Sequence, residues 1–259
     1  MQFYDFLTRA LRTGGVTQNA TLIVHSAFRP LAQHQVAPAA LCETLVEHCK
    51  TGNVIMPTMS WRTVTPQNPV FDWHKTRSHT GVMTELFRTQ FATHRSLHPT
   101  HSVAAIGRDA HEITAAHHLD PGPCSVHSPY GIIENSALRE QCYILHLGVA
   151  LESCTYIHHF EEIFAPEIYL TQNLENYTLV DKSGNPVEYR LHRHTKRVRD
   201  FHQFGSRLQR SDGIHVFHFG QYDVTLVNVS VLSHVVKQAF ASSLHATLAP
   251  YSYMERSTI

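Results

Sequence analysis

The chain has 259 residues, enough for one large α/β domain or two small ones. Its 42% hydrophobic and 16% charged content suits an ordinary globular protein, and 21 basic residues balance 21 acidic ones. That balance removes the electrostatic reason to expect a nucleic-acid or anionic-membrane partner, and no stretch approaches the ~20 apolar residues of a membrane helix.

Met1–Asp5 lacks a basic segment followed by an apolar run, which predicts no signal peptide. Phe3–Thr13 then reads as a helix, with Phe3, Phe6, Leu7, Ala10 and Leu11 on one stripe and Gly14-Gly15 as its stop. Thr21–His25 (TLIVH) is a short buried strand. Pro38 opens a second helix where its missing N–H is harmless, Gly52 ends it, and Asn53–Pro57 (NVIMP) is a second strand. Trp61–Thr80, interrupted by Pro66 and Pro69, reads as a long irregular loop of the kind that often carries function. Gly81–Gln90 is helical, and Ser102–Ile106 is a strand closed by Gly107.

Ser128-Pro129 is a helix start, with serine as cap and proline in the first turn. Tyr143–Leu147 is a strand, and a helix begins near Thr155. Tyr177–Asp181 and Val187–His192 flank Ser183-Gly184-Asn185-Pro186, a hairpin signature. A helix near Asp200–Gln209, a strand pair at Ile214–Phe219 and Val224–Val229, and a last helix over about Val231–Leu248 complete the chain. Strand–helix alternation followed by hairpins predicts an α/β fold, a mixed central sheet flanked by helices, in a single domain over residues 1–259.

Cys42, Cys49, Cys124, Cys142 and Cys154 include no Cys-x-x-Cys pair and read as free thiols of a cytoplasmic protein. The 22 histidines are scattered along the chain. Their scatter speaks for composition rather than for a metal centre, and no metal is expected.

Three clusters can carry chemistry. In TYIHHFEE (155–162), His158 and Glu161 are three residues apart and share a helix face. A carboxylate there can accept a hydrogen bond from one imidazole nitrogen, fix the tautomer and strengthen the other nitrogen as a base. Thr155 lies a turn earlier, near a helix N-terminus whose N–H groups can support a developing oxyanion. The same spacing also describes an ordinary helix salt bridge. Arg95, His98, His101 and Ser102 form a second polar cluster at the mouth of a buried strand, suited to a ligand or to a self-bonded turn. His25-Ser26 and Thr58 end two core strands, where open α/β sheets gather ligands.

Taken in order, LIVHSAF (22–28), VIMPTMSW (54–61), RSLHPTHSVAAIG (95–107), His127-Ser128-Pro129-Tyr130, ILHLGV (144–149) and TYIHHFEE resemble the aminoglycoside 3-N-acetyltransferase, or antibiotic N-acetyltransferase, family across roughly residues 5–235. The resemblance implies that family's α/β fold, distinct from the acetyltransferases with a Gly-rich pyrophosphate loop. It implies acetyl-CoA as co-substrate and direct transfer to an amine of an amino sugar or aminoglycoside-like acceptor. His158 would be the base, Glu161 its orienter and Thr155 the side chain near the acyl oxygen. His25, Ser26, Thr58, Arg95, His98 and Ser102 would hold CoA. A homodimer is compatible with it. Ala27 departs from the family, which commonly has a serine there, and Glu167–Asp212 is rich in Arg, Lys and His.

Basic residues such as Arg190, Arg193, Lys196, Arg197 and Arg199 suit an anionic amino sugar or a solvated face. Two other chemistries use residues at hand. One is a metal-dependent hydrolase with His98, His101, His158 and Glu161, which lacks a His-Glu-x-x-His motif. The other is a nucleophile at Cys154.

Overall fold

The computed structural model describes residues 2–250. Its centre is a seven-stranded mixed sheet of order β4-β5-β2-β1-β6-β10-β9. These strands are β1 (Thr21–Ser26), β2 (Asn53–Pro57), β4 (His94–Arg95), β5 (Val103–Gly107), β6 (Cys142–Leu147), β9 (Ile214–Phe219) and β10 (Tyr222–Asn228). β1 runs parallel to both β2 and β6, while β5 pairs antiparallel with β2, and β10 with β6. The inner strands are continuous apolar runs because both faces are covered. Ile23, Ile144 and Val227 fill the core on one face; Leu22, Leu145 and Leu226 fill that on the other.

The helices α1 (Phe3–Thr13), α2 (Pro38–His48) and α3 (Val82–Gln90) contribute to the second of these cores, and the apolar stripe of α1 is buried as its spacing predicts. The opposite core takes α4 (Ala110–Ala115), α5 (Pro129–Glu134), α6 (Ile157–Phe164), α7 (Pro166–Tyr169), α8 (Gly205–Arg210) and α9 (Val229–Ser242). The Ser128 cap accepts the Gly131 N–H as expected.

A second, three-stranded sheet, β3-β7-β8, stands beside the main one, from β3 (Val70–Asp72), β7 (Leu170–Val180) and β8 (Pro186–His194). The segment expected to be wholly irregular, Trp61–Thr80, thus donates β3, which pairs parallel with β7. Arg193 on β8 fastens the start of that segment by donating to the Trp61 carbonyl at 2.6 Å.

Two expected helices are shorter. α6 starts at Ile157, after Thr155, and α9 stops at Ser242, where Ser243 turns extended. The tail then returns across the core, with the Ala249 N–H on the Val198 carbonyl at 3.0 Å, and this return brings Thr247 to the site described below. Among the described residues no helix is long and apolar enough to cross a membrane.

Candidate active site

A cavity of about 530 Å³ opens at the ends of β1 and β2, between the main sheet and the second one. Its wall takes His25 and Ser26 from β1, Trp61 and His79 from the long segment, and Thr155 and His158 beside α6. His194 to Arg199, leaving β8, closes the other side.

At the base of this cavity His158 and Glu161 meet as their spacing predicts. His158 Nδ1 lies 2.6 Å from Glu161 Oε2, so the ring donates from Nδ1 and its remaining nitrogen, Nε2, is left as a base. The His158 side chain is 22% exposed and that of Glu161 fully buried. The imidazole packs against Tyr169 at 5.1 Å and Phe201 at 5.4 Å, so rings as well as the carboxylate orient it.

Burial alone would raise the pKa of Glu161, but His158, Arg199 and Thr247 together outweigh it and hold the carboxyl below its usual range. Arg199 Nε donates to Oε1 at 2.9 Å and Oε2 at 2.8 Å, and the Thr247 hydroxyl donates to Oε1. For His158, burial dominates and lowers the pKa, with Glu161 opposing it, so the ring is neutral at pH 7. A neutral imidazole backed by an ionised, fully bonded carboxylate is equipped to accept a proton.

Thr155 lines the cavity one turn before His158. The helix amides expected to support an oxyanion there are already used: the N–H groups of Ile157, His158 and His159 donate to the carbonyls of Cys154, Thr155 and Tyr156. Those three amides are therefore committed to the chain's own carbonyls.

The six residues expected at CoA divide. His25 and Ser26 line the cavity, and His25 Nε2 is buried with no hydrogen-bond partner among the described residues. Thr58, Arg95, His98 and Ser102 are buried behind the wall and bond one another and the backbone instead. Thr58 Oγ1 lies 2.9 Å from Ser102 Oγ, which also donates to the Thr58 carbonyl at 2.9 Å. Arg95 donates to Ser102 Oγ and to the carbonyls of Trp73 and Thr76, and its guanidinium lies over Phe71 at 4.6 Å. His98 Nδ1 accepts the His101 N–H at 2.9 Å, and the ring stacks on His117 at 4.3 Å. Antiparallel β2 and β5 bring Thr58, Ser102 and Arg95 together, where they bond one another, while Arg95 Nη2 and His98 Nε2 have no partner among the described residues.

Ala27 lies outside the cavity lining, its N–H on the Leu147 carbonyl and its carbonyl accepting from the Tyr222 hydroxyl at 3.2 Å. Gly148 next to it adopts φ 64°, and a Cβ there would come within 2.4 Å of the Tyr222 ring, so glycine is required at this turn.

The two competing chemistries find no matching geometry. Among the described residues no three or more His, Cys, Asp or Glu side chains are arranged to hold a metal, and His98 stands behind the wall while His158 faces the cavity. Cys154 is fully buried in the core, and burial pushes its thiol up to about 12.

Other residues of the site escaped the sequence. Arg199 reads there only as part of a basic run, yet it is the ion partner of Glu161. Thr247 carries no signal, lying 86 residues from Glu161. His194 and His79 both pack edge-on against Trp61, at 5.6 and 4.7 Å, forming an aromatic corner that no local spacing announces.

The family model described as aminoglycoside 3-N-acetyltransferase matches residues 23–241. Aminoglycoside N(3)-acetyltransferase III of Pseudomonas aeruginosa is 26% identical over 172 residues, which make up 60% of this chain and 62% of that protein. The match thus spans less than two thirds of that relative's length. Aminoglycoside acetyltransferase AAC(3)-IVa, solved as a variant in complex with a gentamicin, superposes with a TM-score of 0.77 at 22% identity, covering 100% of this chain and 99% of that one. AAC-IIIb, solved with CoASH, gives a TM-score of 0.73 at 19% identity over 91% and 95% of the two chains. At these identities the solved structures establish the shared α/β fold. With the family model covering most of its length, the chain belongs to the aminoglycoside 3-N-acetyltransferase family.

Proposed function

We propose that this protein transfers the acetyl group of acetyl-CoA directly to an amine of a sugar-like acceptor, with His158 as general base. The observation that carries the reading is the His158–Glu161–Arg199 array, its carboxylate buried and its imidazole facing a cavity between two sheets. His158 is neutral, tautomer-fixed and backed by a carboxylate that its own bond, Arg199 and Thr247 hold ionised. Such a ring takes a proton from the attacking nitrogen, and Glu161 stabilises the imidazolium that results. Acetyl-CoA supplies an activated acyl thioester. As the C–N bond forms and the C–S bond breaks, the proton held by His158 passes to the departing sulfur. In this reading Thr155 serves the acyl oxygen and His25 and Ser26 contact CoA, supported by their all lining the same cavity as His158.

A related structure solved with CoASH and the family match support the cofactor. A second reading, in which an aminoglycoside itself is the acceptor, is favoured by the fold shared with AAC(3)-IVa in complex with a gentamicin. The first test is binding. CoA at about 100 times its Kd should stabilise the fold by about 2.7 kcal/mol, read as a rise in Tm. No rise with millimolar CoA would sink the assignment.

A further inference from the structure

Resting on that acetyl-transfer reading, we propose that the acceptor is an amine that also carries an anionic group, a carboxylate or a phosphate, and not a polycation. The argument starts from how the 195–199 segment is held. Arg199, besides binding Glu161, donates through Nη1 to the carbonyls of Arg197 at 2.9 Å and Thr195 at 3.3 Å. Thr195 fixes the start of the segment, its N–H on the Tyr169 carbonyl and its hydroxyl on that of Ile168. The guanidinium that serves the dyad therefore also fastens this strip beside it. Lys196 and Arg197 consequently line the same cavity as His158. Across from them, Arg62 lies over the Trp61 ring at 4.9 Å, bringing a further cation to the aromatic corner.

The negative side is thin. Among the described residues Glu152 is the one carboxylate lining the cavity; it is 55% exposed and lies 2.8 Å from His202 Nε2. Glu161 lies below the wall, already matched by Arg199. The histidines around the cavity do not change the balance. Burial holds His25 and His79 down to about 4 and His194 to about 3, so they offer neutral polar edges at pH 7. A multiply protonated drug would bring its charges to a wall on which, among the described residues, Lys196 and Arg62 outnumber the single carboxylate Glu152. An anionic group on the acceptor would be drawn to that wall and held there, leaving its amine toward His158.

The test compares glucosamine, glucosamine 6-phosphate and gentamicin as acceptors at saturating acetyl-CoA and low salt, following CoA release. The phosphorylated sugar should exceed glucosamine in kcat/KM by about tenfold or more, with gentamicin lowest, and the gap should narrow as salt is raised. Lys196→Glu and Arg62→Glu should each shrink that ratio through the KM of the acceptor. Equal efficiency for the two sugars, or gentamicin as the best acceptor, overturns the inference and leaves acetyl transfer standing. So does a Lys196→Glu protein whose KM rises for acetyl-CoA while the ratio is kept, since the cations would then serve the phosphates of the cofactor. CoA release with none of the three, in a protein that CoA stabilises, also overturns the inference alone. No stabilisation by CoA overturns the reading beneath it.

Discussion

On α6, His158 and Glu161 are followed one position later by His159 and Glu162, so the same two residue types recur at the same spacing about 100° round the helix. The first pair faces the cavity, and its members bond each other. The second faces the protein and clamps one residue from both sides. His159 Nδ1 donates to the Cys124 carbonyl at 2.7 Å, and Glu162 accepts the Cys124 N–H at 2.7 Å. Their charge states diverge as well. Burial lifts Glu162 to about 7, with Asp120 adding to the rise and the Cys124 N–H opposing it. Glu161, more deeply buried, is held low because His158 bonds it and an arginine and a threonine reach it from elsewhere in the chain. The helix supplies two equivalent pairs, and the surroundings set their charge states apart.

Breaking that asymmetry should have its largest effect at Arg199. Arg199→Ala leaves a fully buried carboxylate without its cation, and removing one partner of such a pair costs about 3–5 kcal/mol. Urea unfolding measures this; a loss well below that range would mean that Glu161 does not depend on Arg199 for its charge.

The second pair should respond more weakly and differently. His159→Ala strips a buried carbonyl of its donor and should cost about 1–3 kcal/mol in stability, with the turnover of the folded fraction kept. Glu162→Gln should alter only the pH dependence. The carboxyl titrates near 7 when folded against an ordinary 4.5, so the unfolded chain sheds this proton first as pH rises. Wild-type stability therefore declines through that interval, and the variant should lack the decline. Stability curves that run parallel between about pH 5 and 8 would contradict the raised value.

Much of the main sheet is legible locally, because β1, β2 and β6 are apolar runs bounded by turn residues and α1 has an unbroken stripe. The His158–Glu161 pair proposed as catalytic is legible for the same reason: residues three apart on a helix share a face whatever else happens. What could not be read is which polar residues face the cavity. Thr58 and Ser102 stand at strand ends just as Ser26 does, but only the antiparallel pairing of β2 and β5 shows that they bond each other. Arg199 and Thr247 were illegible because their roles depend on long returns of the chain, 38 and 86 residues from Glu161. The second sheet was half legible: its hairpin has a turn signature, whereas β3 lies inside a segment whose prolines read as a loop.

That His158, and not its neighbour, is the base is tested most directly by single-turnover acetyl transfer in His158→Ala beside His159→Ala, at saturating acetyl-CoA. Loss of a general base lowers the rate by about 10²–10⁴, so His158→Ala should fall by that much while CoA still raises its Tm. His159→Ala should keep the wild-type rate in its folded fraction. A His158→Ala protein that transfers acetyl as fast as wild type would contradict the mechanism.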